Sequence, residues 1–232
     1  MKISAVVCTY NRAESLAKAL RSAAALQMSA AVDWEVVVVD NNSRDNTREV
    51  VDGFCQKYPQ RFRYAFESQQ GLCYARNRAI KEAQGDVIAF MDDDVCVEPG
   101  WLQKLTVSLH DPKWAGAGGK ILPLWPATPP NWLPRKGRWS LAPLVVFDEG
   151  EEPGELSEAP FGANMAFRKE MFQKYGGFRT DLDRVGGNLM SGGDTEFGLR
   201  LLTAGEKLRY EPAALLHHPV TPDRMQKKYF LR

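Results

Sequence analysis

Four consecutive valines, Val36-Val37-Val38-Val39, run directly into Asp40. A β-branched run without polar alternation suits a strand covered on both faces. The same grammar recurs along the first half of the chain. Residues 3–8 form an apolar run leading into Thr9-Tyr10-Asn11-Arg12, and residues 87–91 form another leading into Asp92-Asp93-Asp94. A shorter strand is expected at 62–66. Between these runs the apolar period changes to that of a helix. Leu16, Ala19, Leu20 and Ala23 share one face, after Asn11-Arg12-Ala13-Glu14, which reads as a capping box with Asn11 as N-cap. Helices are also expected at 45–58, with Val50, Val51 and Phe54 on one side, at 72–83, and at 99–109 with Pro99 near the start. Strand and helix in alternation predict an α/β fold, a mostly parallel sheet flanked by helices. A chain of 232 residues suits one large domain or two fused halves.

The second half reads differently. Residues 123–160 are rich in proline and tryptophan and carry an acidic stretch over 148–158, which suggests a long irregular excursion. Helices are expected at 168–175 and at 194–204, the latter ended by Gly205, with short strands at 208–210 and 215–217. No internal repeat is visible.

Composition narrows the functional classes. Hydrophobic residues make up 44% of the chain, enough for a sizeable core, and the formal net charge of +1 argues against a protein whose main partner is nucleic acid. No segment approaches the roughly 20 apolar residues that span a bilayer, and the apolar N-terminal run is too short for a signal peptide. Cys8, Cys55, Cys73 and Cys96 show no C-x-x-C spacing, which favours reduced thiols in a cytoplasmic protein over disulfides or a zinc site. No G-x-G-x-x-G follows the first strand and no P-loop pattern occurs, which disfavours dinucleotide oxidoreductases and P-loop enzymes.

In an open parallel sheet, ligands bind at the carboxyl ends of the strands. Three strands here deliver polar residues to that edge. In the acidic triplet, D-x-D spacing on an extended segment puts Asp92 and Asp94 on the same side. Adjacent carboxylates repel unless a cation neutralises them, and oxygen ligands suit Mg2+ or Mn2+. A solvated acidic turn is the alternative. Asp40 fits a hydrogen-bond acceptor for a nucleobase edge or a turn residue, and alone it reads as the turn. Asp194 fits an N-cap or a general base, with Glu196 in a supporting place. His217 and His218 end a short strand, where imidazole serves either structure or a metal.

Together these segments resemble the family 2 glycosyltransferases of the A-type fold, in the bacterial branch that builds surface polysaccharides. The resemblance covers nearly the whole chain in order. Val6 to Arg12 is similar to the family's opening nucleotide-binding strand and turn, with Cys8 where proline is usual. Val38 to Thr47 resembles the second nucleotide motif, Gly71-Leu72 through Ala75-Arg76-Asn77 the start of the donor-binding helix, and Phe90 to Asp94 the D-x-D segment. Phe161 to Arg168 resembles the loop lining the sugar and acceptor region, and Tyr210-Glu211-Pro212 followed by His218 the segment completing a metal site. In Gly192-Gly193-Asp194-Thr195-Glu196-Phe197, Gly193 stands where the family commonly has a glutamate before its aspartate.

The resemblance implies a Rossmann-like nucleotide-sugar-binding half (1–115), an acceptor and catalytic half (116–220) and a basic C-terminal segment (221–232). It implies donor contacts from Thr9, Tyr10, Asn11, Arg12, Asp40, Asn42, Gly71, Arg76, Asp92 and Asp93. It implies a divalent ion, Mg2+ or Mn2+, held by Asp94 and His218, with Asp194 as catalytic base. Gly162, Ala163, Asn164, Glu196 and Trp132 fall in the acceptor and sugar region. The activity implied is inverting hexosyl transfer from a nucleoside diphosphate sugar to a glycan or lipid-linked acceptor at the cytoplasmic face of a membrane. Trp125, Trp132 and Trp139 suit sugar stacking, membrane-interface placement or ordinary loop packing. Arg224, Lys228 and Arg232, with Met225 and Tyr229 beside them, would form a basic stripe on a C-terminal helix suited to anionic lipid, or simply a solvated face. Rival readings are a metal-dependent phosphodiesterase or nucleotidyltransferase, for which three histidines are few, and a non-catalytic nucleotide-sugar or glycan-binding module, which Gly193 motivates.

Overall fold

The computed structural model describes residues 1–133, 142–182 and 192–230. Trp139 and Arg232 lie outside the described residues.

Among the described residues nine strands form a single sheet. In chain order they are β1 (Lys2–Thr9), β2 (Asp33–Asp40), β3 (Phe62–Phe66), β4 (Val87–Asp92), β5 (Cys96–Val97), β6 (Trp114–Leu124), β7 (Gly154–Leu156), β8 (Asn164–Arg168) and β9 (Lys207–Pro219). The helices are α1 (Ala13–Ala24), α2 (Thr47–Lys57), α3 (Leu72–Glu82), α4 (Trp101–Thr106), α5 (Lys169–Tyr175) and α6 (Gly193–Thr203). The spatial order is β3-β2-β1-β4-β8-β6-β9-β5, with β7 paired to β9.

The strands expected from the valine run and its neighbours pair in parallel: β1 with β2 and β4, and β2 with β3. Val36 to Val39 are fully buried, as a strand covered on both faces requires. Leu16, Ala19, Leu20 and Ala23 form the buried stripe of α1. Beyond β4 the sheet becomes mixed: β8 runs antiparallel to both β4 and β6, while β6 and β9 are parallel. The short strands expected at 208–210 and 215–217 are parts of one strand, β9. Its pairing with β6 shifts register between Gly119 and Ile121, where Glu211 is followed by Leu216 as the next partner. Such an irregularity is where a strand accommodates a residue like Pro212.

A ring cluster packs helices against the sheet. Phe172 stacks on Phe197 at 4.6 Å between ring centroids, and Phe167 meets Phe197 edge-on at 5.0 Å. Phe90 of β4 joins through Phe178 at 5.5 Å. Aromatic pairs of this kind add to the burial energy of their area. The cluster fixes α5 and α6 against the sheet, and so sets where α6 presents its first turn.

A second apolar cluster lies apart. Leu133, Leu144, Val146 and Val220 are buried, with Trp125, Trp132, Met225 and Phe230 packed against them. The C-terminal segment is not the continuous helix that its basic stripe requires. It forms two 3-10 turns, Pro222–Met225 and Lys227–Tyr229, separated by Gln226 in extended conformation. Among the described residues no helix is long and apolar enough to cross a membrane.

Candidate active site

The register of the central strands brings three chain ends together. Thr9 pairs with Asp40 across β1 and β2, and Cys8 pairs with Asp92 across β1 and β4. The turns that follow therefore open on one edge of the sheet.

The first turn differs from the expected capping box. Asn11 sits at φ 52°, in the left-handed region, and α1 begins at Ala13. This backbone swings the Asn11 side chain toward the second turn, where its Oδ1 accepts the Arg44 N–H at 2.7 Å. The α1 amide is capped from that turn instead: Ala13 donates its N–H to Asp45 Oδ2 at 2.9 Å. The two turns are thereby locked to each other, with Tyr10, Asn11 and Arg12 exposed.

In the second turn Asp40 is buried. Its Oδ1 accepts the Ser43 N–H at 2.9 Å and its Oδ2 the Tyr64 hydroxyl at 3.0 Å. The turn role that the residue suggests by itself is thus present, and it fixes the carboxylate at the edge. Asn42 takes φ 66°. Its neighbour Asn41, which sequence reasoning passed over, donates to the Gln69 carbonyl at 2.6 Å and accepts the Gly71 N–H at 2.8 Å. Gly71 has φ 141°, a conformation that L side chains rarely adopt. Asn41 and Gly71 together define where α3 starts.

The acidic triplet divides its roles by alternation. Asp93 points inward, contrary to a direct donor contact. It is 6% exposed, accepts the Thr9 hydroxyl at 2.7 Å and receives Arg12 Nη1 at 3.0 Å. Burial pushes its carboxyl up to about 6, against the lowering effect of Arg12. Asp92 and Asp94 face the other way, as D-x-D spacing requires. Strand β5 follows the triplet directly and pairs antiparallel with β9, Cys96 opposite His217. That pairing carries His218 to the acids: its Nε2 lies 3.6 Å from Asp94 Oδ1.

Asp92, Asp94 and His218 each offer a ligand atom, and these atoms lie within 4.8 Å of one another. Asp94 Oδ2 accepts Arg12 Nη1 at 2.9 Å, while its buried Oδ1 has no hydrogen-bond partner among the described residues. A buried carboxylate oxygen without a donor is costly unless a cation meets it. Two carboxylates and an imidazole match the donor preferences of Mg2+ or Mn2+, so the residues fit one divalent ion. Burial lowers the proton affinity of His218, against the raising effect of Asp94 and Asp92, which favours the neutral imidazole that ligates metals. Burial likewise raises that of Asp92, against the lowering effect of Arg76.

Asp194 stands in the first turn of α6, whose N-cap is Gly192, so it is not the N-cap residue. Its Oδ2 accepts the Gly162 N–H at 2.7 Å. The buried Arg76 connects this carboxylate to the triplet. Its Nη2 is 3.9 Å from Asp92 Oδ1, and its charge is raised in persistence by Asp194 and Asp92, which outweigh burial. Cys8 lies beside this group, and burial pushes its thiol up to about 12, so this side chain stays a neutral thiol near neutral pH.

Two residues expected in the acceptor and sugar region are closed off by burial, and two others make contacts within the fold. Ala163 is 2% exposed and Asn164 fully buried. Asn164 donates to the carbonyls of Lys120 and Ala214 at 2.9 and 2.8 Å and accepts the Trp101 indole N–H at 2.8 Å, which saturates it as a tie between β6, β9 and α4. Glu196 pairs with Arg200, which also holds the carbonyls of Tyr175 and Gly177. Trp132 packs edge-on against Phe230 at 5.4 Å, and Trp125 joins the same cluster. Both indoles thus take part in loop packing.

Comparison with known proteins agrees with this geometry. A profile of the family described as Glycosyl transferase family 2 matches residues 4–176. A glucosyl-dolichyl phosphate glucuronosyltransferase of Haloferax volcanii is 30% identical over 94% of this chain and 69% of its own length. The succinoglycan biosynthesis protein ExoM of Rhizobium meliloti is 30% identical over 94% of this chain and 67% of its own. Among solved structures, a mannosyltransferase from Pyrobaculum calidifontis in complex with GDP-Man and Mn2+ superposes with a TM-score of 0.74 at 20% identity, over 95% of this chain. This likeness shows the A-type glycosyltransferase fold. The chain spans 57% of the length of that solved chain.

Proposed function

The chain belongs to glycosyl transferase family 2, and from that premise we propose that it is a divalent-cation-dependent, inverting transferase. It moves a hexosyl group from a nucleoside diphosphate sugar to a hydroxyl of a glycan or lipid-linked acceptor, in polysaccharide or glycolipid assembly. The observation that carries this reading is the convergence of Asp92, Asp94 and His218 within 4.8 Å at the strand ends.

In this reading residues 1–115 bind the donor, residues 116–220 present acceptor and base, and 221–232 form a basic extension. Asp40 and the turn residues Thr9, Tyr10, Asn11, Arg12 and Asn42 frame the nucleoside, with Gly71 and Arg76 at the start of α3. Asp94 and His218 hold Mg2+ or Mn2+, with Asp92 beside them. When bound, such an ion supplies Lewis-acid stabilisation of the charge that grows on the leaving diphosphate. Asp194 takes the proton from the attacking hydroxyl. Gly162 orients this carboxylate through its backbone N–H. One base and no candidate protein nucleophile favour direct displacement, and hence inversion at the anomeric carbon. The basic C-terminal segment suits a place at the cytoplasmic face of an anionic membrane, which a vesicle sedimentation assay tests.

The decisive experiment incubates the protein with a panel of nucleotide sugars and Mn2+, with and without chelator. Mn2+-dependent release of nucleoside diphosphate supports the reading. Release of nucleoside monophosphate would point to a phosphodiesterase, and thermal stabilisation without any release to a binding module.

A further inference from the structure

Arg12 is the N-cap residue of α1, and its carbonyl accepts the Leu16 N–H at 2.9 Å. The turn that carries it is tied to the second turn through Asn11 and Asp45. Its backbone is therefore fixed, and its side chain reaches across the sheet edge to the turn after β4. There one nitrogen serves two acids: Nη1 lies 3.0 Å from Asp93 Oδ1 and 2.9 Å from Asp94 Oδ2. The β1 end grips Asp93 a second time, since Thr9 donates its hydroxyl to Asp93 Oδ2 at 2.7 Å. Both oxygens of Asp93 are thus engaged, and this buried carboxylate in turn holds Arg12 at the triplet.

The consequence falls on Asp94, whose two oxygens have different surroundings. Oδ2 carries the arginine. Oδ1 is buried without a hydrogen-bond partner among the described residues and lies 3.6 Å from His218 Nε2. An ion drawn to Asp92, Asp94 and His218 therefore finds one oxygen of Asp94 open and the other already paired with a cation. A carboxylate shared with a guanidinium attracts a second cation less, because the two positive charges repel across a few ångströms. The Arg12 side chain is 50% exposed, so it keeps its charge at this place without a closed pocket around it.

We propose that Arg12 is a positioning residue that weakens the site's hold on a lone divalent ion, by pairing with one oxygen of Asp94 and offsetting part of the acidic charge. This inference rests on the metal reading of Asp92, Asp94 and His218 and adds a control to that site, apart from any framing of the nucleoside. With Arg12 in place, the acids alone are a poor ion trap. The oxygens and negative charge of a nucleoside diphosphate supply what the arginine withholds, so retention of the ion is tied to the presence of the donor. Asp93 and Thr9 have a part in this too, since they hold the arginine where it acts.

The test titrates Mn2+ alone, in a calorimeter, into the unmodified chain and the Arg12→Gln, Arg12→Lys and Asp94→Ala variants. Arg12→Gln keeps an amide donor for Asp94 and removes the charge. It should bind Mn2+ about ten-fold tighter, the effect of taking away a unit charge a few ångströms from the ion near a protein surface. Damage to the turn would weaken binding, so the expected change is opposite in sign to a structural loss. Arg12→Lys restores the charge and should return the affinity to within about three-fold of the unmodified chain. Equal or weaker binding in Arg12→Gln, or Arg12→Lys as tight as Arg12→Gln, would overturn the role of Arg12. Loss of binding in Asp94→Ala would in that case leave the metal reading standing. Failure of both the unmodified chain and Arg12→Gln to bind Mn2+, whether alone or with UDP or GDP, would remove both.

Discussion

Gly162 offers its backbone N–H to Asp194 Oδ2 across 2.7 Å, and any side chain at Gly162 would collide with that same oxygen. A Cβ there would stand 2.6 Å from Asp194 Oδ2 and 2.2 Å from Arg76 Nη2. Both obstacles are side-chain ends, so the fold has room to yield, but only by moving the proposed base and its neighbouring cation. Gly162→Ala should therefore cost more in rate than in stability. The expectation is a fall in kcat of about 100-fold, the cost of roughly 1 Å of misplacement, with about 1–3 kcal/mol lost in stability. Initial rates and thermal melts on one preparation check this, and an unaltered kcat would refute the role given to the contact.

Asp194→Asn separates the base from the scaffold. Asparagine keeps an oxygen that accepts the Gly162 N–H, so the start of α6 is preserved. What it lacks is the basicity to take a proton. Transfer should fall by about 10²–10⁴-fold while Mn2+-dependent donor binding stays the same. Calorimetry beside a transfer assay distinguishes this from a loss of donor affinity.

The parts of the fold that could be read from the sequence share a physical cause. Val36 to Val39 and residues 16, 19, 20 and 23 declare themselves because burial imposes a period on them. The second half escaped because its strands break those rules. β6 contains Gly116, Gly118 and Gly119, residues that weaken a strand pattern, yet each is small because a neighbour fills the place of its side chain. A Cβ at Gly116 would lie 2.4 Å from Phe167 Cδ1, and one at Gly119 2.4 Å from the Ala214 carbonyl oxygen. β9 was split by Pro212, whose place at a register shift only pairing reveals. In the site, D-x-D alternation correctly placed Asp92 and Asp94 on one side. The inward turn of Asp93 toward Thr9 and Arg12, and the saturation of Asn164, depend on residues distant in sequence and leave no local signal.

Asp93 provides a pH test. Its carboxyl is raised from 3.8 to about 6, chiefly by burial. The folded state therefore holds this proton more tightly than the unfolded chain does. Its contribution to stability is fully present below the unfolded value and is lost as pH rises through about 6. Two pK units correspond to about 3 kcal/mol. Asp93→Asn removes the ionisation while keeping an oxygen for Thr9 or Arg12. Metal-free melts should show the variant gaining on the parent between about pH 4 and 6, with the difference levelling above that range. A difference that is constant across this window would show that Asp93 does not ionise as its surroundings dictate.

Cys73 fills the space beside Gly193. A Cβ on Gly193 would stand 2.4 Å from Cys73 Sγ, so the buried sulfur occupies the space that a side chain there would need. The glycine is matched to its neighbour on α3. Gly193→Ala should then cost about 1–3 kcal/mol by overpacking, and should displace the first turn of α6 that carries Asp194. Cys73→Ala removes the sulfur and should lower stability by a separate, smaller amount. Combined, the two changes relieve each other: the double variant should be more stable than the sum of the single losses predicts, by about 1 kcal/mol or more, and should regain transfer activity lost in Gly193→Ala. A double-mutant cycle of denaturant melts and initial rates measures both terms. Strict additivity in that cycle would mean that the sulfur and the glycine are independent.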